Sequence, residues 1–363
     1  MKNDVRRILI AVIILGTGIA EMFLMHRFPG FFFPSYRLLS KKWLSALAFL
    51  MSWTHFSVWD AGALCLVILL LYFLIRCIRN RSGFLHVLSI ALLTASVLAF
   101  SALQGWLGNH YAPKLSEELS LEIRKYSVEE LYETAEYYYL KAAEYAPLIE
   151  RDAEGHALKQ DLNQTGNTAG ASYRNLAGKY WIFEGSAAPV KHFTLIGEYL
   201  LYNGITGMFM PVTAEASVPA NVPVIPLPFT MCHEAAHRLG IASEQEANFC
   251  AFLASVSNED PYFIYSGYYS AFSYCYSSLY SADPKKAAEL YHLHDDFSGI
   301  LLVQLDRRDT SEAYKKYESP LKEISDNIND TYLKTFSQES GIRSYGEVTD
   351  YLIAWYFSGN ETN

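Results

Sequence analysis

The chain has 363 residues, 51% of them hydrophobic, with 38 Asp and Glu against 29 Lys and Arg. The charge is lopsided: residues 1–107 hold ten Lys and Arg against three Asp and Glu, net +7, and the remainder holds nineteen against thirty-five, net −16. An acidic remainder excludes a nucleic-acid partner, since phosphate backbones demand a basic patch, and residues 108–363 are enough for a core of their own.

Three apolar runs come first, over about 8–25, 58–78 and 84–103. Each is long enough, or nearly so, to cross roughly 30 Å of hydrocarbon. The first has no small-x-small cleavage site and two more runs follow it, so it reads as a span and not as a signal peptide. Lys2, Arg6 and Arg7 precede the first run, and Arg76, Arg79 and Arg81 crowd the link between the second and third. Both groups belong in the cytoplasm by the positive-inside rule. The loop after the first run then lies outside, although it carries Arg27, Arg37, Lys41 and Lys42. Three spans from a cytoplasmic N-terminus place everything after about residue 107 outside the cell membrane. Trp43 to Phe56 is apolar but broken by polar residues, as expected of a segment lying along the membrane surface. Trp106 and Tyr111 mark an interfacial exit from the third span.

Beyond the spans, Ser127 and Glu130 have capping-box spacing and open a helix that Pro147 stops. Gly155 to Gly170 reads as a polar loop, and Ala171 to Phe183 as a helix. Met208 to Val218 has extended character, with Thr213 to Val218 the expected strand. Pro226 to Thr230 then starts a helix, proline suiting its first turn and Thr230 able to cap it.

That helix carries His233-Glu-Ala-Ala-His237. Two histidines four apart lie on one face, so both imidazoles reach one Zn2+. Glu234 sits beside the open coordination position, where it can take a proton from an attacking water. Gly240 suits a left-handed helix end. Ser243 opens a second helix, and Ser243 with Glu246 again has capping-box spacing. Helix, sharp turn and helix let a carboxylate swing back to the metal. Glu244 and Glu246 both qualify by type. Glu244 is favoured because Asn248, four residues on, shares its face and can hold a ligand histidine by the second ring nitrogen. Glu246 remains the alternative third ligand.

Farther on, Tyr262, Tyr265, Tyr269, Tyr276 and Tyr280 follow helical spacing and read as core. His292 and His294 are two apart and diverge on a helix. Tyr345, Arg343 and His192 are of the right type to polarise a carbonyl, and no spacing selects among them. The cysteines form no CxxC motif, and Cys232 and Cys250, flanking the histidines, are expected as buried thiols.

The stretch PFTMCHEAAHRLGIASEQEANFCAFLA resembles an uncharacterised family of bacterial membrane proteins with three N-terminal spans and a zincin-like domain, as do GITGMFMPVTAEASV, YSGYYSAFSYCYSSLY and GIRSYGEVTDYLIAWY. At greater distance, HEAAH followed by EQEAN is similar to gluzincin membrane peptidases of the CAAX-prenyl-protease type. That likeness implies Glu244 as third ligand with Asn248 as its companion, although the second helix follows much sooner here. The expected fold is mainly α: three transmembrane helices over residues 1–107, then a mostly helical zincin-like domain over 108–363 with a small β element before the zinc helix. The expected function is a membrane-anchored zinc metallopeptidase acting on a peptide or protein substrate at the membrane or cell envelope. The rival from another class is a non-catalytic receptor or assembly module whose zinc ties two helices together. Structural zinc sites are usually closed and cysteine-rich, which counts against it.

Overall fold

In hydrocarbon every peptide group needs an internal partner, so long apolar runs fold as helices. The structure, a computed structural model, describes residues 2–79, 83–293, 297–320 and 344–359. Helix α1 spans Lys2–Arg27, α2 Pro29–Met51, α3 Val58–Arg79 and α4 Phe84–Gly105, with a 3-10 turn over Leu107–Tyr111. Three of these stretches, α1, α3 and α4, are long and apolar enough to cross a membrane. Helices α1 and α4 run parallel. Asp4 meets His86 at 2.9 Å near their first turns, and Glu21 bonds Gln104 near their last.

The segment expected along the membrane surface from Trp43 is the second half of α2, which begins fourteen residues earlier at Pro29. It is not a fourth span of the apolar kind. It crosses the end of α4, where Ser40 Oγ donates to the Gly105 carbonyl at 2.6 Å. The basic residues that sit awkwardly with the charge rule are spent here. Arg37 makes a two-pronged bond to Glu118 at 2.5 and 3.1 Å, and Lys41 Nζ donates to the carbonyls of Ile182 and Glu184, both at 2.7 Å.

The remaining elements are α5 Leu115–Glu118, α6 Val128–Tyr145, α7 Leu162–Ala171, α8 Arg174–Ala177, β1 Lys191–Phe193, α9 Gly197–Tyr202, β2 Met208–Met210, β3 Glu215–Pro219, α10 Leu227–Arg238, α11 Glu244–Val256, α12 Pro261–Ala282, α13 Pro284–His292, α14 Ser298–Lys315 and α15 Ser344–Phe357. The Ser127 capping box forms, with both reciprocal bonds present. The polar loop and the helix expected next are corrected. Residues 162–171 are helical because Asp161 caps them through the Gln164 amide, whereas 171–183 holds only the single turn of α8 and a 3-10 turn at Trp181–Phe183. Glycine and polar residues hid the first helix, and Gly178 ends the second early.

The sheet has the order β1-β3-β2, with β1 parallel to β3 and β2 antiparallel to it. Strand β3 is buried along its length, and Ala214 takes a left-handed φ of 52° in the turn before it. Tyrosines are built into the helical core. Tyr139 of α6 stacks on Phe272 of α12 at 4.0 Å, and Tyr262, Tyr265 and Tyr269 are buried while Tyr280 emerges at the helix end.

Candidate metal centre

Helix α10 lies against β3 and is buried on nearly every side. Thr230 does not cap it. Pro226 holds the cap position, and the Thr230 hydroxyl donates back to its carbonyl at 2.9 Å. The helix ends as the glycine predicts. Gly240 has φ +94°, its amide bonds the His237 carbonyl, and the Ile241 amide reaches the Ala236 carbonyl, a pattern that satisfies the last carbonyls of a helix. The sharp turn brings α11 back alongside α10.

His233, His237 and Glu244 form a group whose ligand atoms all lie within 4.8 Å of one another. The two Nε2 atoms are 3.0 Å apart, and the Glu244 oxygens lie 3.2 Å from His233 Nε2 and 3.7 Å from His237 Nε2. The outer ring nitrogens are engaged. His233 Nδ1 donates to Asn248 Oδ1 at 2.8 Å, and His237 Nδ1 donates to the Ile241 carbonyl at 2.7 Å. Both acceptors lack a proton, so each ring carries a hydrogen on Nδ1 and turns Nε2 inward. Such outer bonds hold metal-ligating histidines in place. Two imidazole nitrogens and a carboxylate are a donor set that suits zinc.

Glu246 points elsewhere. Its Oε1 accepts from the Leu115 amide at 2.8 Å and from the Tyr351 hydroxyl at 3.0 Å. The second capping box does not form, since Ser243 takes the cap position without a side-chain bond. Two residues on a helix stand about 200° apart, so with Glu244 facing the histidines Glu246 must face away.

Glu234 lies beside the group. It is 5% exposed and makes no hydrogen bond among the described residues. Burial pushes its carboxyl up to about 6, against the pull of the two imidazoles. Burial by itself also disfavours ionised Glu244, but His237 and His233 outweigh it and hold that carboxyl low. Burial likewise lowers His237, and Glu244 more than reverses this, so the ring is held above the usual imidazole range.

Gly207 makes room for Glu234. A Cβ there would lie 2.3 Å from Glu234 Oε1 and 2.7 Å from its Cγ, so any other residue would push the carboxylate from its place. The Trp106 ring meets His237 edge to face at 5.6 Å and Phe209 at 4.9 Å. His110, in the 3-10 turn after α4, and Tyr274, on α12, both lie within the electrostatic reach of Glu244. Helical periodicity and capping single out none of Gly207, Phe209, His110 and Tyr274. A glycine leading into an extended stretch was the one local sign.

Of the candidate carbonyl-polarising residues, His192 stands apart from the group. His192 lies on β1, where its charged neighbours are His55, Asp161 and Lys159. Arg343, the Tyr345 side chain and His294 lie outside the described residues. Cys232 and Cys250 are buried free thiols.

The sequence model of a family described as protein of unknown function (DUF3810) matches residues 36–353. The chain belongs to this family. No curated protein and no solved structure matches it. In this DUF3810 chain the match takes in the whole His-His-Glu group together with Asn248, Gly207 and Trp106.

Proposed function

We propose that this protein is a membrane-anchored, zinc-dependent hydrolase acting on peptide bonds. The observation that carries the reading is the company Glu234 keeps. This largely buried carboxylate stands next to two inward-facing Nε2 atoms and to the carboxylate of Glu244, whose charges bear on its ionisation. His233, His237 and Glu244 would hold the ion. Zinc held there supplies the charge that activates a water and polarises a carbonyl. Glu234, its pKa raised toward neutrality, takes the proton of the attacking water and passes it to the leaving amine. Asn248 and the Ile241 carbonyl keep both rings turned inward.

Tyr274 is the hydroxyl we assign to stabilising the developing oxyanion. Its ring packs on Phe229 at 6.1 Å, one helical turn before His233 on the same face of α10, and its phenol makes no hydrogen bond among the described residues. Strand β2 is the sheet edge beside Glu234 and offers its free side to an extended peptide.

The test is to purify the full chain, measure zinc, and screen an unbiased peptide library with and without chelator. About one zinc per chain is expected, lost in His233→Ala and in His237→Ala. Zinc retained in both variants removes the site. Zinc retained in the wild type with no chelator-sensitive cleavage favours the receptor or assembly reading. The domain is placed outside the cytoplasm by the charge rule. A reporter active only outside the cytoplasm should work when fused after Asn363 and be silent near Asn80.

A further inference from the structure

We propose that the metal group works at the membrane surface, and that its substrates are polypeptides anchored in the same bilayer and cut where they emerge from it. The inference rests on the hydrolase reading and adds the substrate class.

Height is the first argument. Helix α4 has 22 residues from Phe84 to Gly105, which is about 33 Å of helix against about 30 Å of hydrocarbon. The next residue is Trp106, whose ring touches His237. The metal group therefore sits level with the point where α4 leaves the hydrocarbon.

Rigidity is the second. Nothing between span and site acts as a free linker. Asn109 packs against Gly240 at the end of the histidine helix and donates to Ser40 Oγ of α2 at 3.2 Å. Across the sheet, Glu215 of β3 accepts from the first amides of α3, Val58 at 2.7 Å and Trp59 at 2.8 Å, and bonds buried Lys191 at 2.7 Å. In return, Asp60 of α3 accepts from the amides of Thr194, Leu195 and Ile196. A membrane helix and the sheet thus cap each other. With α2, α3 and α4 all attached, the site cannot lift away from the bilayer.

The third argument is the surface around these attachments. Arg37 and Lys41 turn inward, so apolar side chains dominate the exposed side of α2, Leu39 and Phe49 among them. Trp53, 74% exposed, follows α2, and Leu195 and Tyr199, the latter 61% exposed, stand beside the start of α3. This apolar surface is continuous with the spans, so lipid at the headgroup boundary is its occupant. A substrate confined to that plane meets the site at high effective concentration. The ligand side chains are only 8–19% exposed, which suits an extended segment and not a folded domain.

The full chain in lipid nanodiscs is offered one randomised segment in three forms: directly after a single-span anchor, after the same anchor and a long Gly-Ser linker, and as free peptide. The expected result is cleavage of the surface-adjacent form at least about tenfold faster than the others, with none by Glu234→Gln. Equal rates in all three overturn the inference and leave the hydrolase reading standing. Absence of cleavage in every form overturns the hydrolase reading and the inference with it. A second readout needs no turnover. Cobalt loaded in place of zinc should speed the relaxation of lipid headgroup phosphorus nuclei. Equal relaxation in cobalt- and zinc-loaded samples overturns the assigned height.

Discussion

Two regions of this protein bury carboxylates, and they treat them oppositely. At the junction of the sheet and α3, Glu215 is bonded to Lys191 and to two backbone amides, and Asp60 to three amides. Deeper in the core, Asp306 receives both arms of Arg151, at 2.9 and 2.7 Å, and the Tyr265 hydroxyl at 2.5 Å. Glu234 is nearly as buried and receives no hydrogen bond among the described residues. Scaffold carboxylates are satisfied because an unpaired buried charge costs several kcal/mol. Glu234 instead has the two imidazoles and Glu244 as its electrostatic neighbours, and burial raises its pKa as expected of a group in a functional site.

The sharpest way to break this contrast is Glu234→Gln. Activity should fall by roughly two to four decades with zinc content unchanged. Because a costly charge is removed, thermal unfolding should not occur at a lower temperature than in the wild type. Loss of the metal would falsify the assignment of Glu234 as a base outside the ligand set. Glu215→Ala should do the reverse. It leaves Lys191 buried without its partner and should destabilise the fold by about 3–5 kcal/mol. Denaturant midpoints in detergent measure this, and a midpoint unchanged from the wild type would refute a structural role for the pair.

Smaller effects sharpen the site itself. Tyr274→Phe should lower kcat by roughly two to three decades, with KM little changed, if the phenol meets the oxyanion. A change confined to KM would make it a binding wall instead. Asn248→Ala frees the His233 ring and should weaken zinc binding about 10- to 100-fold in a competitive chelator titration. Undiminished affinity would show that Asn248 does not orient the ring.

The mildest effect is on pH. Tyr173, Tyr262, Tyr265 and Tyr351 are all raised by burial above their ordinary value. The unfolded chain then ionises first, near pH 10. These phenols therefore support the fold fully below that pH and progressively less above it. Tyrosinate absorbance and loss of helix should rise together in alkali. Tyrosinate appearing well before unfolding would show that these phenols are open to solvent.

Much of the site was legible because its signals are local. Histidines four apart share a helix face whatever surrounds them, and Glu244 with Asn248 repeats the same geometry on the next helix. The Ser127 box and the Gly240 turn likewise involve residues within about one helical turn of each other. Where polar and glycine-rich composition stood in for geometry, as over residues 162–171, the reading failed, since a single aspartate cap outweighed the composition.

The sequence by itself determined which atoms can bind a metal, which stretches can cross a bilayer, and how the two histidine-bearing turns are shaped. Only the tertiary structure sets Glu244 beside the histidines and Glu246 away from them, because the partners of Glu246, Leu115 and Tyr351, come from distant parts of the chain. It also decided that Gly207 covers Glu234, that Trp106, just past the end of α4, touches His237, and that α2 docks its own cations. The physical reason is range. Helical periodicity and capping act over a few residues, whereas desolvation and pairing of buried charge depend on which surfaces meet after the chain has closed on itself.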